Sequence, residues 1–143
     1  MLPVPEWFFN QSAVIPFRRT DDGIEVMLIT TIRKKKWIIP KGVVEPGLSP
    51  RDSAAAEAFE EAGVHGHVLP EKVGEYRYRK WGGECAVSVY LMEVGEMCAD
   101  WPERDMRDRR WMGVDEAAGL VKEPALKPII RNLPAFIARA SSA

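Results

Sequence analysis

Residues 42–64 read GVVEPGLSPRDSAAAEAFEEAGV, and this stretch decides the fold. Ser49 can cap a helix, Pro50 fits its first position, and Asp52 sits where a capping box carries its acid. Gly63 is a natural residue just past a helix end. These signals predict a helix over 50–62. At about 100° per residue, Ala55, Ala58, Phe59 and Ala62 fall on one stripe, whose small side chains suit close approach to a sheet. Ahead of it, residues 40–48 hold Pro40, Gly42, Pro46 and Gly47, the composition of a loop with unusual backbone geometry.

Outward from the helix, the chain reads as strands. Residues 12–19 and 23–31 are rich in β-branched and apolar residues around Thr20-Asp21-Asp22, which predicts a hairpin with Gly23 at its exit. A short strand is expected at 37–39. Further strands are expected at 64–69, 73–79, 85–94 and 110–114, the third having the strongest core character. Asp115 is expected to cap a short helix ending at Leu120. A terminal helical region over 125–139 should be broken or kinked by Pro128 and Pro134. The order predicts an α/β protein, a mixed sheet flanked by helices.

The whole chain sets the frame for this reading. Its 143 residues make one domain over 1–143, with residues 1–11 as a leader segment. Twenty Lys and Arg oppose 21 Asp and Glu, so no basic excess points to duplex nucleic acid. No apolar run is long enough for a membrane span. The opening MLPVPEWFFNQ lacks a basic segment and carries Glu6, which argues against a secretory signal and for a cytoplasmic protein; a monomer or homodimer is expected. Cys85 and Cys98 lack the spacing of a disulfide framework and read as small residues in a reducing compartment. His65 and His67 could share a strand face, but no third ligand stands nearby in sequence, and they read as surface residues.

Glu57, Glu60 and Glu61 stand at i, i+3 and i+4, within an arc of about 100° facing away from the alanine stripe. They occupy the last turns before Gly63, where the helix dipole disfavours each negative charge by roughly 0.3–1 kcal/mol. No cation stands three or four residues away; the positions that could carry one are Ser53, Ala56, Val64 and His65. A local rule broken without visible compensation marks a functional site, and the missing partner is a cation. Oxygen-only carboxylate ligands select a hard ion, Mg2+ or Mn2+, over zinc.

At this point the stretch resembles the Nudix box, Gly-x5-Glu-x7-Arg-Glu-U-x-Glu-Glu-x-Gly-U with U aliphatic. It matches at Gly42, Glu57, Glu60, Glu61, Gly63 and Val64, with Ala58 standing for the first aliphatic. Leu48 replaces the first Glu of the box and Ala56 replaces its Arg, so both members of an opposite-charge pair are lost together and no orphan charge remains. The run WIIP before the box, Glu45-Pro46-Gly47 within it and WPERDMRDRRWMGVDEA at 101–117 resemble the diphosphoinositol polyphosphate phosphohydrolase branch of the Nudix superfamily. The similarity spans roughly 13–134 and implies a Nudix-type α/β/α sandwich with the loop-helix at its site.

The resemblance implies attack by water on a phosphorus of a phosphoanhydride chain, assisted by Mg2+, with Mn2+ a possible substitute. Carried onto these residues, Glu57 and Glu61 are metal ligands, Glu60 is the general base or a further ligand, and the backbone of Lys41 or Gly42 adds a carbonyl. Arg33, Lys34, Lys35, Lys36 and Lys41 crowd ahead of the acidic helix. Arg19, Arg33, Lys34, Lys41 and Arg79 are the expected binders of a small phosphorylated substrate. That substrate is a nucleoside diphosphate linked to another group X or a polyphosphorylated compound, with dinucleoside and diphosphoinositol polyphosphates the leading choices. A nucleotide-sugar or ADP-ribose pyrophosphatase, and a catalytically silent module that binds a phosphorylated ligand, are the alternatives.

Overall fold

Four residues of one strand, Ala13, Val14, Ile15 and Phe17, are shut off from solvent completely, and that burial dictates the layering. Successive side chains leave a strand on opposite faces, so consecutive burial requires cover on both. In this computed structural model, which describes residues 3–142, Asn10–Thr20 forms β1, Gly23–Thr30 β2, Trp37–Ile38 β3 and Lys41–Val43 β4. Helix α1 is Pro50–Glu57, extended by a π-helical segment, Ala58–Ala62. Then come β5 (Val64–Val68), β6 (Gly74–Lys80), β7 (Gly83–Met97), β8 (Arg109–Gly113), α2 (Val114–Leu120), α3 (Leu126–Arg131) and α4 (Leu133–Ser142).

All eight strands belong to one sheet with the central order β3-β2-β1-β7-β5. β1 and β7 run parallel and the other pairs antiparallel, so the sheet is mixed as expected. The outer edge of β1 is shared: Phe17–Thr20 pair with β2, whereas Gln11–Ala13 pair with β4. The two partners part there, and β4 meets the glutamates of the helix that follows it. Ala13, Ile15, Phe17, Val87, Val89 and Leu91 pack toward α2, α3 and α4. Val14, Met27, Ile29, Tyr90 and Met92 face α1 on the other side. The result is the α/β/α sandwich, each fully buried large aliphatic side chain contributing roughly 1.5–3 kcal/mol. Among the described residues no helix is long and apolar enough to cross a membrane.

Several boundaries differ from the sequence expectation, each for a local reason. Residues 41–43 were expected within a loop, but they form β4, because the edge of β1 beyond β2 offers free backbone groups. The leader expected over 1–11 ends early: Glu6–Phe9 is a 3-10 turn, and Asn10 and Gln11 open β1. Residues 1 and 2 of that segment lie outside the described residues. Phe8 and Phe9 pack edge-on against Trp81, which therefore covers a core edge. On α1 the buried stripe is Ala54, Ala58 and Ala62; Ala55 is only half-buried, and Phe59 stays at the rim. Asp115 is not a cap, since α2 starts at Val114 after Gly113 and makes no side-chain cap bond. The terminal helical region breaks at Asn132, leaving Pro128 and Pro134 in first turns, where backbone N–H groups have no intrahelical partner.

Candidate active site

The helix that carries the glutamates is started and stopped as its sequence requires. Ser49 Oγ accepts from the Asp52 N–H at 3.1 Å, and Gly63 closes the far end at φ 66°, a left-handed conformation favoured by glycine. The last turn is not α-helical. It widens into a π turn over Ala58–Ala62, an irregularity frequent at functional sites. This turn keeps Ala58 and Ala62 on the sheet, points the half-buried Glu57 and Glu61 inward and leaves Glu60 exposed.

β4 meets this helix through backbone. A Cβ on Gly42 would fall on the Glu57 carboxylate, so glycine at this position lets that carboxylate lie against β4. The Lys41 N–H donates to Glu61 Oε1 at 3.1 Å. The ladder explains why. The Val14 N–H donates to the Pro40 carbonyl at 3.0 Å and the Val44 N–H to the Asn10 carbonyl at 2.9 Å. Bonded positions alternate in an antiparallel pair, so Gly42 bonds with Ser12, while Lys41 and Val43 turn their backbone groups away from β1. The Val43 carbonyl accordingly accepts from Ser53 Oγ.

A fourth carboxylate and a cation arrive from the 101–108 segment, neither of them expected from sequence. The Glu103 N–H donates to the Glu60 carbonyl at 3.1 Å. Arg107 donates through Nε to Glu103 Oε1 at 2.8 Å and through a terminal nitrogen to the Thr30 carbonyl at 3.0 Å. It also lies 3.6 Å from Glu61 Oε2, both side chains being 11% exposed. The compensation missing from the helix thus comes partly from a residue remote in sequence. It is incomplete. Burial first, then repulsion from Glu61, Glu60 and Glu103, pushes the Glu57 carboxyl up to about 8. Glu61 rises to about 7, chiefly through burial, with Arg107 and the Lys41 N–H pulling the other way.

Such an all-oxygen set, desolvated and short of positive charge, fits a hard divalent ion. Glu57, Glu60, Glu61 and Glu103 supply carboxylates, and Lys41 has its backbone free of the ladder.

Lys41 also belongs to a second feature. Its Nζ donates to the Tyr78 hydroxyl at 3.1 Å, and that hydroxyl donates to Gln11 Oε1 at 2.7 Å. Burial lowers the Lys41 ammonium pKa. The side chain borders a cavity of about 410 Å³ with Ile38, Ile39, Tyr76, Tyr78 and Glu123 on its walls.

The remaining expected substrate binders do not gather here. Arg19, near the far end of β1, is bonded to Glu93 at 2.9 Å and to Ser141 at 3.3 Å. Arg79 is exposed on β6 and leaves it on the face opposite Tyr78. Arg33 and Lys34 are exposed on the β2–β3 loop. That loop reaches the site through Thr31 at the cavity wall and through Lys35 Nζ on the Met106 carbonyl at 3.3 Å. Of the five, Lys41 alone borders the cavity.

A mixed sheet lies between helical layers and carries a loop-helix whose glutamates gather beside β4. The comparisons make the class specific: a family model for the NUDIX domain matches residues 9–133, and the chain belongs to the Nudix hydrolase family. It is 33% identical over 131 residues to Nudix hydrolase 16, mitochondrial, of Arabidopsis thaliana, covering 79% of this chain and 72% of that protein. It is 33% identical over 116 residues to diphosphoinositol polyphosphate phosphohydrolase 3-alpha of Homo sapiens, covering 79% and 69%. Other plant relatives are longer; the chain spans 62% of Nudix hydrolase 13 and 46% of Nudix hydrolase 4 of Arabidopsis thaliana. The C. elegans Ap4A hydrolase in a binary complex superposes with a TM-score of 0.77 at 20% identity, over 90% of this chain and 97% of that one, which shows the shared fold. Nudix hydrolases generally use divalent metal ions and act on small phosphorylated substrates.

Proposed function

We propose that the protein is a Mg2+-dependent hydrolase of a phosphoanhydride bond in a nucleoside polyphosphate, with dinucleoside polyphosphates the preferred class. The observation that carries this reading is the convergence of Glu57 and Glu61 on the backbone of Lys41 and Gly42, with Glu60 and Glu103 near enough to repel the Glu57 carboxylate. A pyrophosphate would be repelled by bare carboxylates. Mg2+ held there would screen that repulsion, stabilise charge in the transition state and lower the pKa of a bound water. Glu57 and Glu61 are assigned as ligands. The Lys41 carbonyl is favoured over that of Gly42 as the backbone ligand, because the ladder bonds Gly42 to Ser12. Glu60, exposed at the rim, is assigned as general base or further ligand, with Glu103 beside it.

The losses at Leu48 and Ala56 fit an active protein. Both positions are exposed, and an exposed ion pair there would be worth about 0–1 kcal/mol. The carboxylate cluster does not depend on it.

The preference for a nucleoside group over an inositol polyphosphate rests on the cavity. Its walls are largely aliphatic and aromatic, with two cations, Lys41 and Lys122, and one acid, Glu123, among them, whereas a densely anionic ring would need more converging cations. Most of the expected cations stand elsewhere.

The test is a hydrolysis panel with Mg2+ of dinucleoside polyphosphates, diphosphoinositol polyphosphates, ADP-ribose, nucleotide sugars and nucleoside triphosphates, with products identified by mass. Fastest turnover of dinucleoside polyphosphates is expected. Turnover of diphosphoinositol polyphosphates alone would overturn the substrate preference. Tight binding without product from any compound would overturn the hydrolase reading. A cytoplasmic location is proposed from the sequence alone, and cell fractionation tests it.

A further inference from the structure

Beyond the carboxylate cluster, the pairing of β5 with β7 gathers three residues that are remote in sequence. His65 stands directly across from Glu96, and Cys98 follows just past the end of β7. One ligand atom from each, an imidazole nitrogen, a carboxylate oxygen and a thiol sulfur, can be chosen so that all lie within 4.8 Å of one another. The sequence offered His65 and His67 as a pair without a third ligand. In the structure His67 instead borders other cavities, with Leu69 and Phe136 at one and Arg51 at another, and the partners of His65 come from the neighbouring strand.

His65 and Cys98 have defined surroundings, and Glu96 is exposed. The His65 ring stacks on Phe59, centroids 4.7 Å apart and planes within 11°. The Cys98 N–H donates to the Gly63 carbonyl at 2.8 Å. Its carbonyl accepts from Arg109 at 3.0 Å, and Arg109 also donates to the carbonyls of Ala62 and Gly63. The sulfur is therefore carried on backbone fixed to the end of the catalytic helix. Metal–ligand bonds of about 2.0–2.3 Å at tetrahedral angles put ligand atoms about 3.4–3.6 Å apart. Rotation of the exposed His65 and Glu96 side chains supplies the remaining approach of about 1 Å.

We propose that His65, Glu96 and Cys98 form a second metal centre that takes Zn2+, with water in the fourth position. Mixed nitrogen, sulfur and oxygen donors select such a borderline ion, whereas the all-oxygen cluster around Glu57 selects a hard one. The two centres differ in chemistry, and the second is tied to Gly63 through the Cys98 N–H. A metal here clamps β5 to the end of β7 and, through Cys98 and Gly63, steadies the π turn that aims the catalytic glutamates.

The test is a Co2+ titration of the reduced full chain followed by absorption, with Zn2+ as competitor. A thiolate-to-cobalt charge-transfer band is expected in the wild type, kept in a Glu57→Gln/Glu61→Gln variant, lost in Cys98→Ser and abolished by added Zn2+. In His65→Ala, Zn2+ affinity should fall by at least about tenfold, no less than the loss of an outer-shell partner costs. Circular dichroism establishes that each variant is folded. Absence of the band from the folded wild type would overturn the proposal, as would its survival in Cys98→Ser.

Discussion

The glutamates of α1 and the five expected phosphate-binding cations are both conspicuous in sequence, yet the glutamates gather in one place and, of the cations, Lys41 alone joins them. Glu57, Glu60 and Glu61 lie within two turns of one helix, and helical geometry forces neighbours at that spacing onto one side. Arg19, Arg33, Lys34 and Arg79 are spread over strands and a loop, where proximity in sequence carries no such guarantee. Arg19 lies seven positions along β1 from Ser12, about 23 Å at strand rise. Charge spacing within one element therefore predicts a site, whereas charge density across several elements predicts only a polar surface.

Mutations that separate the two regions can break this comparison. The largest effect is expected at the helix. Glu60→Gln and Glu61→Gln should each lower kcat by about 10²–10⁴-fold in Mg2+-dependent hydrolysis, with cooperative unfolding retained. Near wild-type rates in both would remove the basis of the site.

Gly42→Ala comes next, because its Cβ would displace the Glu57 carboxylate. A misplacement of that kind costs on the order of a hundredfold in kcat, and an unchanged rate would show that Glu57 is not held at β4. Lys41→Met keeps the backbone and removes the ammonium from the cavity. It should raise KM by about tenfold, the loss of one charge-assisted bond, with a smaller change in kcat. The smallest effects are expected from Arg19→Ala and Arg79→Ala, within about twofold in both constants at exposed positions. A large rise in KM from either would restore the broad basic funnel.

The layered fold and the helix of the site were legible because their signals are local. Ser49, Pro50 and Gly63 mark the helix ends, and apolar runs mark β1, β2 and β7. The buried stripe was placed on Ala55 instead of Ala54, since an ideal α-helical wheel cannot foresee a π turn at Ala58–Ala62. β4 was hidden by its neighbours: Pro40, Gly42 and Pro46 read as loop, and only the exposed edge of β1 makes residues 41–43 a strand. Glu103 and Arg107 enter the site because the 101–108 segment is tied to Thr30 and to the Glu60 carbonyl. No local pattern could announce those bonds. The grouping of His65 with Glu96 and Cys98 likewise depends on strand register and remains invisible until β5 is laid on β7.

The most direct test of the carboxylate site is unfolding stability against pH, measured for the wild type and the Glu57→Gln/Glu61→Gln variant, with and without Mg2+. In the folded metal-free protein Glu57 and Glu61 titrate at about 8 and 7, above the ordinary value of 4.5. The folded state thus holds protons that the unfolded state has released, and stability contributed by these groups falls as pH rises from about 4.5 to 8. The account predicts this decline in the metal-free wild type, its absence from the double variant, and recovery at pH 8 when Mg2+ is added to the wild type alone. Equal pH profiles for the two proteins, or equal stabilisation of both by Mg2+, would contradict it.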